Sequence, residues 1–139
     1  MIEPTLALQT AIRSRLIGRP EVMALLKDDS TCVRSGSTRP DKTPCIIMSD
    51  GNTALHGRDY TAQRAAWVYL DLHIWILDAG QDAVKEIAGT VIAALDKPLN
   101  FEGCDCDHFR VTRSTFPRDP DPAYGHGVLS VEAFIRWIV

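Results

Sequence analysis

The sequence predicts an α+β fold: an antiparallel or mixed β-sheet with an N-terminal helix pair and one long amphipathic helix packed on it. Three observations carry this prediction. Over residues 65 to 77, Val68, Leu70, Leu72, Ile74 and Ile76 recur at a period of two, which is a strand. Over residues 79 to 96, Val84, Ile87, Ala88, Val91 and Leu95 form one helical stripe. Strand-like runs are separated by turn-forming segments, with a single long helix between two of them, an order that points away from regular βαβ alternation. A chain of 139 residues, 45% hydrophobic and 24% charged, builds one ordinary core, so residues 1–139 read as a single domain.

The elements follow in order. Leu8, Ala11, Ile12 and Leu16 lie at helical spacing after Glu3, Pro4 is tolerated in a first turn, and Gly18 ends the run, predicting a helix over residues 4 to 17. Pro20 opens a second, short helix in which Val22, Leu25 and Leu26 are apolar and which closes before Asp28-Asp29-Ser30. Thr31-Cys32-Val33 reads as a short strand, and the polar stretch up to Asp41 as an exposed loop. Pro44-Cys45-Ile46-Ile47-Met48 is a short apolar strand, followed by turn chemistry in Ser49-Asp50-Gly51-Asn52. Thr53 to Arg64 is polar, without a period that assigns it. The other face of the 65–77 strand carries Trp67, Tyr69, Asp71, His73 and Trp75. Large aromatics interleaved with Asp and His fit neither a solvated face nor a plain core, so that face is expected to be covered. Asp78-Ala79-Gly80-Gln81 reads as a capping box for the long helix, which Lys97-Pro98 ends. Phe109-Arg110-Val111-Thr112 is a strand, Pro117 to Gly127 a loop, and Val128 to Val139 a final strand with Leu129, Val131, Ala133, Ile135 and Trp137 on one face.

Several function classes recede on composition alone. A net charge of −3 supplies no basic field to hold a phosphate backbone. The longest apolar run, Ile74 to Leu77, is too short to cross a bilayer, and Met1-Ile2-Glu3-Pro4 lacks signal-peptide character, so a soluble, intracellularly made protein without membrane contact is expected. Four irregularly spaced cysteines, Cys32, Cys45, Cys104 and Cys106, read as reduced thiols and not as a disulfide framework.

The densest run of possible metal ligands is Cys104-Asp105-Cys106-Asp107-His108. Its C-x-C spacing departs from the separated C-x₂₋₄-C pairs that close a zinc tetrahedron, and Cys32 and Cys45 lie far away, so a polar hairpin turn is the preferred reading. There is no G-x-S-x-G, H-E-x-x-H or G-x-x-x-x-G-K-[ST] motif. His73 reads as a buried or interfacial ring making a hydrogen bond, and His126, between two glycines, as a turn residue. Asp119 and Asp121 have the spacing of a carboxylate pair, but Pro120 and Pro122 point to an extended, polyproline-like loop whose charges are solvated or ion-paired. Arg34, Arg39, Arg58 and Arg64 fall in irregular segments, where loops beside a sheet often bind partners; a solvated loop surface is the alternative. Together with Tyr60, Trp67, Arg118, Asp119 and Asp121 they form the candidate protein interface.

Five segments occur in a familiar order. They are Glu3-Pro4-Thr5-Leu6-Ala7-Leu8-Gln9-Thr10-Ala11-Ile12, Tyr69-Leu70-Asp71-Leu72-His73-Ile74-Trp75, Lys85-Glu86-Ile87-Ala88-Gly89, Phe116-Pro117-Arg118-Asp119-Pro120-Asp121, and His126-Gly127-Val128-Leu129-Ser130-Val131-Glu132-Ala133. Across nearly the whole chain this set resembles the DUF3168 family, which is similar to the tail-terminator, or tail-completion, proteins of long-tailed phages and of the phage-like gene transfer agents of alphaproteobacteria. The resemblance implies an α+β subunit of a homohexameric ring at the head-proximal end of a tail tube. Its implied partners are further copies of itself, the tail-tube protein and a head-tail stopper or connector, with DNA only as transiting cargo. It implies no cofactor, no metal and no catalytic residue, and a place in a virion or phage-like particle assembled in the bacterial cytoplasm. Cyclic closure needs two different contact faces, which the surplus of aromatic strand surface could supply, and an acidic balance suits a channel that must let DNA pass. Two alternatives stand beside it: another head-tail joining protein, and a small metal-dependent enzyme using Cys104, Cys106 and His108 with a carboxylate from Asp119 or Asp121.

Overall fold

Strict alternation in the long strands and a single apolar stripe on each helix allow one arrangement, a sheet with its helices on one face. The computed structural model, which describes residues 2–56 and 63–138, has that arrangement. In chain order the elements are α1 (Pro4–Ile17), α2 (Pro20–Leu25), β1 (Val33–Ser35), β2 (Cys45–Met48), β3 (Asn52–Leu55), β4 (Gln63–Leu77), α3 (Gly80–Ala94), β5 (Asp105–Thr115) and β6 (Tyr124–Ile138), with a single 3-10 turn at Ser30–Cys32 before β1. The sheet runs β1-β2-β4-β6-β5, with β3 also pairing β4. β1 lies parallel to β2 and every other pairing is antiparallel, so the sheet is mixed and the fold α+β as predicted.

The spine is the pair β4–β6, matched from Gln63 opposite Ile138 to Leu77 opposite Tyr124. Its helix-side residues Val68, Leu70, Leu72 and Ile74 meet Leu129, Val131, Ala133 and Ile135, all buried. Over them lie Leu8, Ile12 and Leu16 of α1 and Val84, Ile87, Ala88 and Val91 of α3. Each fully buried side chain of this kind contributes about 1.5–3 kcal/mol of apolar transfer, which makes this one layer contact the main stabilising element. α1 is held to α3 by Arg15, whose guanidinium donates to the carbonyls of Ala94 (3.0 Å), Lys97 (3.2 Å) and Pro98 (2.6 Å). A cation there meets the negative end of the α3 dipole and satisfies carbonyls left over at the helix terminus.

Five sequence expectations change. The 104–108 segment is no hairpin turn: β5 begins at Asp105 and runs well beyond 109–112, bent by register shifts between Cys106 and His108 and between Val111 and Arg113. Such bulges blur the period of two that would have revealed the strand. β6 starts at Tyr124, not Val128, because Gly125 and Gly127 are strand residues lying under α3. A Cβ on Gly127 would stand 2.7 Å from Val84 Cγ1, and one on Gly125 2.6 Å from Val84 Cγ2. Glycine here sets close packing of helix on strand, so His126 is no turn residue. The short strand expected at Thr31-Cys32-Val33 is displaced to Val33–Ser35, with Thr31 and Cys32 in the 3-10 turn, so Arg34 is a strand residue; the unassigned 53–64 segment holds most of β3 and the start of β4, so Arg64 is one too. The capping box does not form: Ala79 is the N-cap, without a side-chain cap bond, and Asp78 has a φ of 59°. Gln81 turns outward to the β5–β6 connection, donating to the Phe116 carbonyl (3.3 Å) and accepting from the His126 amide (3.1 Å). Among the described residues, no helix is long and apolar enough to cross a membrane.

Candidate functional site: the open face of the sheet

The helices leave one sheet face without a layer, and register determines what it carries. Trp67 stands opposite Phe134, Tyr69 opposite Glu132, Asp71 opposite Ser130, His73 opposite Val128 and Trp75 opposite His126. β5 adds His108, Arg110 and Thr115, and β2 adds Cys45 opposite Trp75. The expectation that the aromatic face is covered holds at one end of the sheet, where Trp75 is only 3% exposed although none of the described helices lies over it.

Two connections cover that end: the strap of residues 36–44 between β1 and β2, and the loop of residues 116–123 between β5 and β6. Arg39, near the middle of the strap, places its guanidinium 5.2 Å from the Trp75 ring centre and 5.8 Å from that of Tyr124, and pairs with Asp119 at 2.6 Å. A guanidinium over an aromatic face with a carboxylate at its edge is a favoured seat, since ring quadrupole and charge act together. The Arg39 hydrogen bond holds the Asp119 carboxyl below the usual carboxylate range. The His126 ring stacks on Trp75 at 3.7 Å, and its Nε2 lies 3.0 Å from His73 Nδ1. Burial, with His73 adding to it, pushes His126 down to about 4, and burial also lowers His73. Both rings are therefore neutral at physiological pH, one donating its proton to the other's lone pair.

The far end of the face is a second aromatic group: Trp67 against Phe134 (5.0 Å) and His108 (5.5 Å), with His56 edge-on to Phe134 (5.3 Å). Glu132 takes contacts from His108 and Arg110, both at 3.2 Å. Between the two groups lies an open groove floored by Tyr69, Asp71 and Ser130 and edged by Thr112 and Arg113. Tyr69 is 38% exposed there, and Ser130 donates to Asp71 at 2.8 Å.

The sequence-derived interface residues separate accordingly. Arg39 and Asp119 meet each other, and Trp67 sits in the far aromatic group. Arg34 ties the strap to itself by pairing with Asp41 at 2.9 Å. Arg64, at the start of β4, donates to the Gln63 carbonyl at 3.2 Å. Arg118 is exposed. Asp121 accepts from the Ala123 amide (3.0 Å) as Asp119 accepts from the Asp121 amide (3.0 Å), so the Pro-rich segment is a pair of tight carboxylate-capped turns and not an extended loop. Arg58 and Tyr60 lie outside the described residues. Tyr124 and the partnership of His73 with His126 escaped the sequence reading; extending the final strand back by four residues would have placed His126 opposite Trp75.

The candidate metal ligands point apart. Cys106 stands opposite Ile135 on the helix side, and Cys104 and Cys106 both pack against the core, with thiol values raised by burial. His108 turns to the open face, and Asp119 and Asp121 sit at the opposite end of β5. Among the described residues, no three His, Cys, Asp or Glu side chains converge as a metal site.

Comparison with known proteins gives this geometry its setting. The fold is shared with a chain from the virion of a native gene transfer agent particle, at a TM-score of 0.77 and 20% identity, covering 94% of this chain and 95% of that one. It is shared with the gp17 protein of bacteriophage SPP1 at a TM-score of 0.58 and 20% identity, covering 94% and 89%. No curated protein matches the sequence. The profile of one protein family, Tail completion protein gp17, matches residues 10–136, and with most of the chain so covered, the chain belongs to that tail-completion protein family.

Proposed function

We propose that this tail-completion protein is a non-catalytic tail terminator: copies of it form a ring on the head-proximal end of a phage-like tail tube, stop its growth and present a docking surface to the head-tail connector. The observation that carries this reading is the family match over residues 10–136. Physical support comes from the open sheet face. Its groove leaves aromatic and polar surface without a layer, while the helix layer presents a different surface on the opposite side. A ring uses two unlike faces of one subunit, because its contacts are heterologous.

Deleting the gene in a particle-producing strain and imaging the tails tests the proposal. Abnormally long or unjoined tails, restored to normal by the wild-type gene, are the expected outcome. Finished tails of normal length beside heads that leak DNA would instead identify a stopper and end the terminator reading.

A further inference from the structure

We infer that Tyr69, with Asp71 beside it and Glu132 opposite, is an open seat for an arginine side chain of a partner protein, built on the same chemistry as the Arg39–Asp119 clasp. This rests on the tail-completion reading only in taking the partner from the particle.

Register builds the seat. Tyr69 stands between Trp67 and Asp71 on the open face of β4 and directly opposite Glu132 of β6, where facing Cβ atoms lie about 4.5–5.5 Å apart. Its exposed ring floors the groove with a carboxylate residue on two sides. The groove has a volume of about 400 Å³, room for one long side chain. Ser49 pins the Asp71 backbone, its hydroxyl accepting from the Asp71 amide and its own amide donating to the Asp71 carbonyl, both at 2.9 Å, so the carboxylate stands on a fixed strand.

The clasp at the end of the sheet shows what such a set of groups holds in this molecule. There the Arg39 guanidinium lies 5.2 and 5.8 Å from the Trp75 and Tyr124 ring centres and 2.6 Å from the Asp119 carboxylate. The ring face attracts the cation and the carboxylate accepts its N–H groups. At the groove the same groups have no cation of their own. Glu132 takes His108 and Arg110, whereas Asp71 accepts from the Ser130 hydroxyl, a neutral donor. Among the described residues, no ion pair holds Asp71 and no cation stands over Tyr69; Arg113 edges the groove from β5 without reaching either. The uncovered middle of the face is thus complementary to a planar cation. Arginine fits it better than lysine, because a guanidinium stacks on the ring while its edge meets the carboxylate.

Titrating the isotopically labelled full chain with N-acetyl-arginine methylamide, followed by amide NMR shifts, tests the seat; the lysine and norleucine analogues are the controls. We expect saturable shifts centred on Tyr69, Asp71, Ser130 and Glu132 with arginine, weaker ones with lysine and none with norleucine. Asp71→Asn, which still accepts from Ser130, and Tyr69→Leu, which keeps apolar bulk without a π face, should each weaken arginine binding about tenfold, while Tyr69→Phe binds as the wild type does. The dispersion of each spectrum establishes that the variant folds. Shifts that follow norleucine, or equal losses in Tyr69→Phe and Tyr69→Leu, overturn the seat. If arginine binds only after Arg113→Ala, Arg113 is the occupant and the proposal is wrong. In particles carrying p-benzoylphenylalanine at Thr112, on the groove rim, photocrosslinking and peptide mapping should attach a partner segment that contains an arginine. Attachment to a segment without one, or no attachment in particles that assemble, overturns the partner. The titration does not depend on how tails end, so the seat and the terminator reading fail separately.

Discussion

At the level of single residues, the contact between His73 Nδ1 and His126 Nε2 at 3.0 Å exists only while at least one facing nitrogen is unprotonated. His126 falls from the ordinary 6.5 to about 4 on folding, and His73 shifts the same way. Below 6.5 the unfolded chain therefore binds more protons than the folded one. The stabilising contribution is complete above about 6.5 and is lost as the pH falls toward 4. Other charged groups face the pair: Asp71 lies beside His73 on β4, and Asp119 and Arg39 approach His126 from the two covering loops. Urea midpoints measured from pH 7 down to pH 4.5 should fall more steeply for the wild type than for His126→Phe, which keeps a ring against Trp75 but cannot titrate. Parallel slopes would show that the imidazole pair is not the source. That Trp75 needed a cover was legible from residue type and period. Its cover was not, because Arg39 and Asp119 are 80 positions apart and neither stands in a pattern.

At the level of elements, the contact of α3 with β6 shows why strand boundaries resisted the sequence. Glycine normally signals a turn, and two of them beside a Pro-Asp segment read as loop. Here they are the positions where Val84 comes within 2.6–2.7 Å of any added Cβ, so a helix that lies close on the sheet required glycine in the strand. Long, unbulged elements such as α1 and β4 were legible because each carries one uninterrupted period; β5 was not, because its two register shifts interrupt the alternation. The close approach yields a measurable consequence. Gly127→Ala should cost about 1–3 kcal/mol through overpacking, measured by chemical denaturation. Val84→Ala, which alone removes buried methyl groups, should recover part of that loss in the double variant, since residues in contact are not additive. Additive costs would mean that the helix simply lifts away.

At the level of the whole molecule, stability is unevenly distributed over the fold. The β4–β6 spine is paired along its full length and roofed by α1 and α3, whereas β1 pairs on one side only and the strap crosses the end of the sheet on the strength of Arg39. Opening free energies follow this distribution: regions with few buried apolar contacts and few paired amides open first. The strap's contacts are side-chain pairings at the end of the sheet, separate from the backbone pairing of β4 with β6. Hydrogen exchange on the free protein should therefore show protection near the global limit at Leu70–Ile74 and Leu129–Ile135, and early exchange in 36–44. Arg39→Ala should raise exchange in 36–44 and 116–123 by about tenfold or more, the change that follows from losing roughly 1.4 kcal/mol of local stability, and leave β4 and β6 as they were. Faster exchange spreading into Leu129–Ile135 would mean that the clasp is part of the core's cooperative unit, and that it cannot open while the subunit stays folded.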